Sequence, residues 1–305
     1  MLRYAVIRLL SAVPTLFLVI ALAFALVRAA PGGPFDEERR LPPEIEARLE
    51  AAFHLDESLP QQFLRYVGGL VRGDFGPSFR YQHSSVAELI GAALPVSLLL
   101  GGLAMILALA IGVTAGAVAA LKQHRWPDHL IMTLSMTGIS VPNFVVAPLL
   151  VLLFAVTLRW LPAGDLGGPA HLILPVIALA LPQIAYVARL TRGSMVDVLR
   201  SNFIRTARAQ GLSSRSIVVD HALKPTLLPV VSYLGPAAAA VLTGSVVVEQ
   251  IFGLPGVGRL FVQGAINRDY TLIMGVVVLY GTLILLFNYL VDVVYAALDP
   301  RVRYR

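Results

Sequence analysis

Long uncharged runs of apolar residues dominate the pattern along this chain of 305 residues. The first run, Leu9 to Val27, lies between Arg8 and Arg28 and is close to the ~20 residues that a helix needs to cross a hydrocarbon core. Five more runs follow it. Together they predict six transmembrane helices, at 9–27, 95–121, 130–158, 172–188, 227–248 and 270–291.

The third, fourth and fifth of these runs contain six prolines. Four of them are candidates for helix breaks: Pro142, Pro175, Pro182 and Pro236. Because proline lacks an N–H and clashes with the preceding turn, we expect helix breaks there, about which rigid halves pivot and expose backbone polar groups to a cavity. The alternative is that they are ordinary prolines, since proline is common in transmembrane helices.

Residues 31–94 form the one long segment with a soluble composition. Apolar residues recur at helical spacing between Ile45 and Phe53, and the pairs Ser58 with Gln61 and Ser85 with Glu88 match a capping box. These patterns predict two or three short amphipathic helices on the outer membrane face. They form either a packed cap or a docking surface for a partner.

A second outer segment, 249–269, begins EQIFGLPG. Glu249, Gly253, Pro255 and Gly256 are candidates for a re-entrant or gate element, in which irregular backbone needs a polar cavity or protein cover. A surface turn is the alternative, because glycine and proline are also the usual residues of turns.

The longest polar interruption of the apolar second half lies between Arg189 and Lys224, with seven cations and two anions. It predicts a helix with an apolar stripe that ends at Gly211, and a second short helix capped by Ser213 or Ser214 that runs to about 223, before Pro225. Together they would form a compact cytoplasmic knob. The stripe consists of Val196, Leu199, Phe203 and Ala207.

Charge supports this topology. With both termini and the basic segment inside, fourteen of the 24 lysines and arginines but only four of the 18 acids are cytoplasmic. The net charge of +6 therefore indicates topology and requires no nucleic-acid partner. Asp292 lies near the inner end of the last span, where it can reach water or a cation; a role in transport is the alternative.

Composition and motifs exclude several kinds of chemistry. The chain is 57% hydrophobic and lacks cysteine, which places it among polytopic membrane proteins without disulfides or thiolate metal sites. Neither lysine follows a glycine, so no P-loop is present, and no H-E-x-x-H or G-x-S-x-G motif occurs. An intramembrane enzyme is poorly supported, whereas a structural anchor remains a rival interpretation.

The basic segment resembles the cytoplasmic loop of the membrane subunits of ATP-binding-cassette importers. That loop reads Glu-Ala-Ala, three residues, then Gly, and ends in a proline. Here Arg205 and Thr206 stand in place of Glu and Ala, and the closing Pro225 comes about one residue late. The run TARAQGLS is similar to the peptide and nickel branch of the family.

This resemblance implies a fold and a coupling site. The fold would be an all-α polytopic membrane protein with six transmembrane helices, the type I importer permease fold. It would comprise a first helix at 1–30, an outer helical segment at 31–94 and a core of five helices at 95–305, with a coupling loop at 189–226. In the family this loop docks into a groove of the ATPase subunit. The matching residues are Arg205, Thr206, Ala207, Arg208, Ala209, Gly211 and Leu212, and the resemblance implies that Ala207, Ala209 and Gly211 are small to permit close approach.

Separate runs that include GDFGPSF, SVPNFVVAPLL and IFGLPGVGRLF extend the resemblance over the whole chain. It is strongest to the B-type permeases of bacterial oligopeptide importers. Dipeptide and nickel permeases are similar through the loop and the carboxyl end. The resemblance implies a second related permease, two ATP-binding subunits that hold ATP and Mg²⁺, and an outer peptide-binding protein. It places the chain in the bacterial inner membrane, with no cofactor of its own, and implies alternating access.

Overall fold

A computed structural model describes residues 2–30, 48, 51, 53–81 and 84–298. Most of the helix predicted between Ile45 and Phe53 and the tail at 299–305 lie outside these residues. The described residues form helices, and their one β-type contact is an isolated bridge between Pro77 and Ser85. The ten helices are α1 (Leu2–Ala29), α2 (Leu59–Val71), α3 (Val86–Leu121), α4 (Trp126–Ser140), α5 (Asn143–Thr157), α6 (Pro169–Leu199), α7 (Asn202–Ala209), α8 (Ser214–Ile251), α9 (Val257–Ile266) and α10 (Tyr270–Leu298).

Five of these helices are long and apolar enough to cross a membrane, and α4 with α5 supplies a sixth if the pair is one span. The predicted third span is therefore not straight, because α4 and α5 are bent by 105°. Pro142, in extended conformation with ψ 148°, caps α5 at this bend. Its fixed φ and missing N–H explain why the helix stops there.

The breaks predicted at the other three prolines are wrong. Pro175 and Pro182 lie inside the continuous helix α6, and Pro236 lies inside α8. Each proline lacks an N–H and so leaves one carbonyl of the helix without its usual backbone hydrogen bond. Membrane helices tolerate this loss when neighbouring groups donate to that carbonyl instead.

The first of two compact units contains, among the described residues, 2–8, 98–254 and 284–298, and α6 packs there against α4, α5 and α8. Two glycines of α3 allow α6 to pack closely against it. A Cβ at Gly112 would lie 2.7 Å from the Val187 Cβ, and one at Gly116 would lie 2.4 Å from the Ala188 carbonyl oxygen, so a larger residue would clash at either position. On another side, the Tyr233 hydroxyl of α8 donates to Gln183 Oε1 at 2.8 Å.

The second unit contains the described residues within 9–97, together with 255–283. One core cluster joins the start of α3 to α9 and α10 through Val86, Val257 and Leu272, each fully buried. Another packs α1 and α10 against α2 around Ile20 and Met274.

Both predicted capping boxes are confirmed. The Ser58 N–H and hydroxyl both donate to Gln61 Oε1, at 3.2 and 2.8 Å. At the start of α3, the Ser85 N–H donates to Glu88 Oε2 at 2.9 Å and the Glu88 N–H donates to the Ser85 hydroxyl at 3.2 Å. The second box starts α3 at Val86, so the prediction that this helix begins at Pro95 is wrong. An early proline does not prevent a helix from starting upstream when a cap supplies the first bonds.

Candidate functional site

The basic segment forms a knob between the end of α6 and the start of α8. Its predicted first helix is interrupted: α6 ends at Leu199, and α7 begins at Asn202. The Ser201 backbone between them is extended, and its hydroxyl donates to the Val198 carbonyl oxygen at 2.6 Å. A serine that bonds locally to the backbone competes with the helix, which accounts for the break.

The break changes which side chains face inward. Ile204, Ala207, Ile217 and Ala222 form the buried core of the knob. Phe203, which the continuous stripe places inside, is 47% exposed. The predicted stripe is therefore wrong at this position, because helical register does not carry across the interruption.

Gly211 ends α7 as predicted. Its φ of +81° is the left-handed conformation that glycine adopts without strain. The Gly211 N–H donates to the Arg208 carbonyl at 3.0 Å, and the Leu212 N–H donates to the Ala207 carbonyl at 3.3 Å. These two bonds form a Schellman motif.

Ser213 then caps the next helix, accepting the Ser216 N–H at 3.2 Å, as predicted. This helix does not end near 223. It continues through a wider π-helical turn at Ile217–Ala222 and past Pro225 to Ile251. The wider turn relieves the crowding that a proline imposes on the carbonyl groups before it.

The knob presents a mixed polar and apolar surface. Six of the seven residues matched to the family's coupling loop are exposed, whereas Ala207 is only 4% exposed and packs in the core of the knob. Leu212 is 37% exposed, so with Phe203 it provides two large apolar side chains at the surface. Apolar anchors surrounded by arginines are typical of protein–protein interfaces. The six exposed residues are Arg205, Thr206, Arg208, Ala209, Gly211 and Leu212.

An ion pair with a buried carboxylate joins α4 to α6, the helix that leads to the knob. Arg192 of α6 donates to both carboxylate oxygens of Asp128: Nε donates to Oδ1 at 2.5 Å, and Nη2 donates to Oδ2 at 2.7 Å. The His124 N–H donates to the same carboxylate at 3.0 Å. Sequence reasoning missed this pair. Its one signal was an acid within the otherwise basic loop that contains Lys122 and Arg125.

The gate candidates fall into two local structures. Glu249 lies fully buried in the last turn of α8, so the predicted end of this span at Val248 is wrong. Gly253, with φ +67°, ends the helix, and the Leu254 N–H donates to the Glu249 carbonyl at 2.9 Å. Pro255 is exposed, and Gly256 is the N-cap of α9. Residues 253–256 therefore form a turn between two helices.

The loop between α5 and α6 packs on the end of α8. The Asp165 N–H donates to the Phe252 carbonyl at 2.8 Å, and a Cβ at Gly164 would lie 2.4 Å from the same oxygen. The end of α8 is thus held closely by its neighbour within the first unit.

Asp292 forms an ion pair with Arg8, so it does reach a cation, as the sequence allowed. It accepts from Arg8 Nε at 2.7 Å. Within the described part of the chain, no three His, Asp or Glu side chains are grouped in a way that could hold a metal ion.

Residues 112–304 match the family described as "Binding-protein-dependent transport system inner membrane component", and residues 1–100 match the amino-terminal family of these membrane components. The chain belongs to this family. It is a multi-pass membrane permease subunit of a transport system and not an enzyme.

Curated relatives match along the full length. The oligopeptide transport system permease protein OppB of Salmonella typhimurium is 54% identical over 100% of both chains, and that of Escherichia coli K12 is 53% identical over 100% of both. The dipeptide transport system permease protein DppB of Bacillus subtilis is 42% identical over 99% of this chain and 98% of its own.

Solved structures share the fold. A chain of the MetNI methionine ABC transporter in an inward-facing conformation has a TM-score of 0.60 at 16% identity, covering 69% of this chain and 96% of that chain. An amino acid ABC transporter has a TM-score of 0.53 at 18% identity, covering 69% and 94%. The prediction of a type I importer permease fold is confirmed.

Proposed function

We propose that this chain is the permease subunit of an oligopeptide importer. The observation that carries the proposal is 53–54% identity over the full length to oligopeptide permeases, against 42% to a dipeptide permease. The chain forms half of the translocation pathway, and a second related permease forms the other half. Two ATP-binding subunits and an outer peptide-binding protein complete the importer.

The proposed arrangement follows the topology. The chain lies in the bacterial inner membrane with both termini cytoplasmic, because most of its basic residues then lie inside. Residues 1–30 are the first span, 31–94 are an outer segment that serves the binding protein, and 95–305 are the core. ATP and Mg²⁺ are bound by the partner subunits.

The knob is the proposed contact with an ATP-binding subunit. Its support is the exposure of Phe203 and Leu212 beside Arg205 and Arg208. From the knob, α6 is a continuous helix of 31 residues, about 46 Å long at 1.5 Å per residue. Through this continuous helix, movement of the ATP-binding subunits reaches the membrane half of α6. That movement opens the pathway alternately to the two sides of the membrane.

Among the pathway candidates, we favour Pro142 as a hinge or gate. The 105° bend between α4 and α5 leaves the backbone irregular within an apolar segment, which is tolerated only beside protein or a water-filled cavity. The turn of Gly253, Pro255 and Gly256 after Glu249 is the second candidate. Because Pro175, Pro182 and Pro236 lie inside continuous helices, these three prolines are weaker candidates.

Uptake in cells that lack this gene tests the substrate class. A labelled oligopeptide is supplied with and without the restored chain, and a dipeptide and nickel serve as competitors. The proposal predicts restored oligopeptide uptake. Restoration of dipeptide or nickel uptake alone would transfer the chain to a sister branch, and no restoration for any solute would favour a structural anchor.

A pair of leucine variants tests the coupling site. Leu212→Asp places a charge on the exposed knob, whereas Leu166→Asp places one on a leucine of comparable exposure in the loop between α5 and α6. We expect Leu212→Asp to lose copurified ATP-binding subunits and uptake, and Leu166→Asp to retain both. Equal copurification in both variants, with both chains present in the membrane, would contradict the assignment.

A further inference from the structure

A cavity lies where two spans of the second unit end. Arg28 is in the last turn of α1, and Tyr270 is the first residue of α10. The Arg28 guanidinium carbon lies 5.3 Å from the Tyr270 ring centroid and 5.5 Å from that of Phe24. Because both helices are membrane spans, this contact marks one membrane interface, the usual depth for arginine and tyrosine.

The cavity has a volume of about 310 Å³, the lower end of the range for small-ligand sites. Its walls are mainly apolar. Phe24 and Val27 contribute from α1, Met274 contributes from α10, and Phe53 and Phe79 contribute from the segments that flank α2. Such walls suit an alkyl or acyl chain.

Arg28 supplies the positive charge of the cavity. Its interactions among the described residues are the two ring contacts, and none of their ion pairs includes it. The other cation of the lining, Arg65, is bound to Glu57, and Asp74 accepts the Gly76 N–H at 2.8 Å. A half-buried guanidinium without a carboxylate is suited to bind an oxyanion through paired N–H donors.

On the α2 wall, two buried polar atoms have no hydrogen-bond partner in the part of the chain that the structure describes: Gln62 Oε1 and the Tyr66 hydroxyl. The Gln62 amide nitrogen is already used, donating to the Leu55 and Glu57 carbonyls at 3.0 and 2.7 Å. Buried polar atoms are nearly always paired, so this wall favours a ligand that also carries hydrogen-bond donors.

We propose that this cavity binds a membrane glycerophospholipid. Its phosphate lies on Arg28, an acyl chain follows Phe24, Val27 and Met274, and the hydroxyl or ammonium group of its head lies towards α2. A peptide carboxylate shares the anionic chemistry. The position at the ends of two spans favours lipid, because that is where phosphates of the bilayer lie.

The test uses the complete transporter purified in detergent and stripped of lipid. Phosphatidylglycerol and phosphatidylethanolamine are titrated separately and bound lipid is counted by native mass spectrometry. Arg28→Gln removes the charge, and Val27→Trp fills the apolar part while leaving Arg28 in place. Arg159→Gln, an exposed arginine of the loop between α5 and α6, is the matched control.

We expect binding of at least one lipid, about tenfold weaker in both Arg28→Gln and Val27→Trp and unchanged in Arg159→Gln, since a charge-assisted hydrogen bond commonly contributes that factor or more. Equal affinity in all four proteins would overturn the proposal. So would an equal loss in the control, or a site that a labelled oligopeptide occupies and neither lipid does.

Discussion

Removing the Asp128 carboxylate should uncouple the knob from the membrane helices. Asp128→Asn leaves the shape of the side chain unchanged but deprives Arg192 of its counter-charge. The Asp128 side chain is 3% exposed and that of Arg192 is 26% exposed. Breaking a fully buried pair costs about 3–5 kcal/mol, and the partial exposure of Arg192 reduces this to about 2–3 kcal/mol.

A cost of about 2 kcal/mol changes the equilibrium between joined and separated helices by roughly 30-fold. The joint between α4 and α6 would then open while the knob still binds its partner. We therefore expect a lower ratio of peptide transported to ATP hydrolysed, with a lower thermal unfolding temperature of the detergent-purified importer.

Asp292→Asn is the matched control, because it removes the same charge from the ion pair with Arg8. In that pair the Arg8 side chain is 51% exposed and the Asp292 side chain is 27% exposed. Exposed pairs contribute about 0–1 kcal/mol, so this variant should be close to wild type. The double variant Asp128→Asn with Arg192→Gln should recover part of the stability, because it no longer leaves an unpaired charge. Equal losses in Asp128→Asn and Asp292→Asn, or none in either, would refute the reasoning.

Three further changes probe separate contacts. Gly116→Val would place its Cβ about 2.4 Å from a carbonyl oxygen of α6 and should abolish folded permease in the membrane. Gly102→Val is the control, because a Cβ at Gly102 would have no atom within 4 Å and should leave folding intact. The yield of membrane-inserted protein measures both. Gly211→Ala imposes about 1–2 kcal/mol of strain at φ +81° and should weaken binding of the ATP-binding subunits; copurification near the wild-type level would count against it. The Arg65 hydrogen bond lowers the pKa of Glu57, so its stabilisation is present above the ordinary carboxyl pKa and is lost as pH falls through the lowered value. The difference in thermal stability between wild type and Arg65→Gln should shrink towards acid pH, and a difference that grows would contradict this.

Local signals in the sequence were sufficient for much of the fold. Charge-free runs predicted the spans. Ser85 with Glu88 predicted the start of a helix, although not that this helix continues without a break into the span that contains Pro95. Gly211 predicted the end of α7, because a left-handed residue after a helix is a local requirement. These features depend on residues within a few positions of one another.

The failures concern contacts that no local pattern contains. The choice of Ile204 over Phe203 for the core depends on where α6 stops, and the stop depends on the Ser201 hydroxyl donating to a carbonyl of the last turn of α6. Asp128 and Arg192 are 64 residues apart, so only the packing of α4 on α6 brings them together. Whether a proline bends a helix likewise depends on the surrounding helices.

The measurement that tests the central claim most directly is cross-linking from a single cysteine, since the chain has none of its own. Leu212→Cys places the only thiol of this chain on the knob, and Leu166→Cys places it in the loop between α5 and α6. In membranes containing the assembled importer, a short thiol–amine cross-linker should join position 212 to an ATP-binding subunit, with a yield that changes when ATP is added, and should not join position 166. Cross-linking of the ATP-binding subunit to position 166, or its absence at 212 in an importer that still transports oligopeptide, would contradict the account.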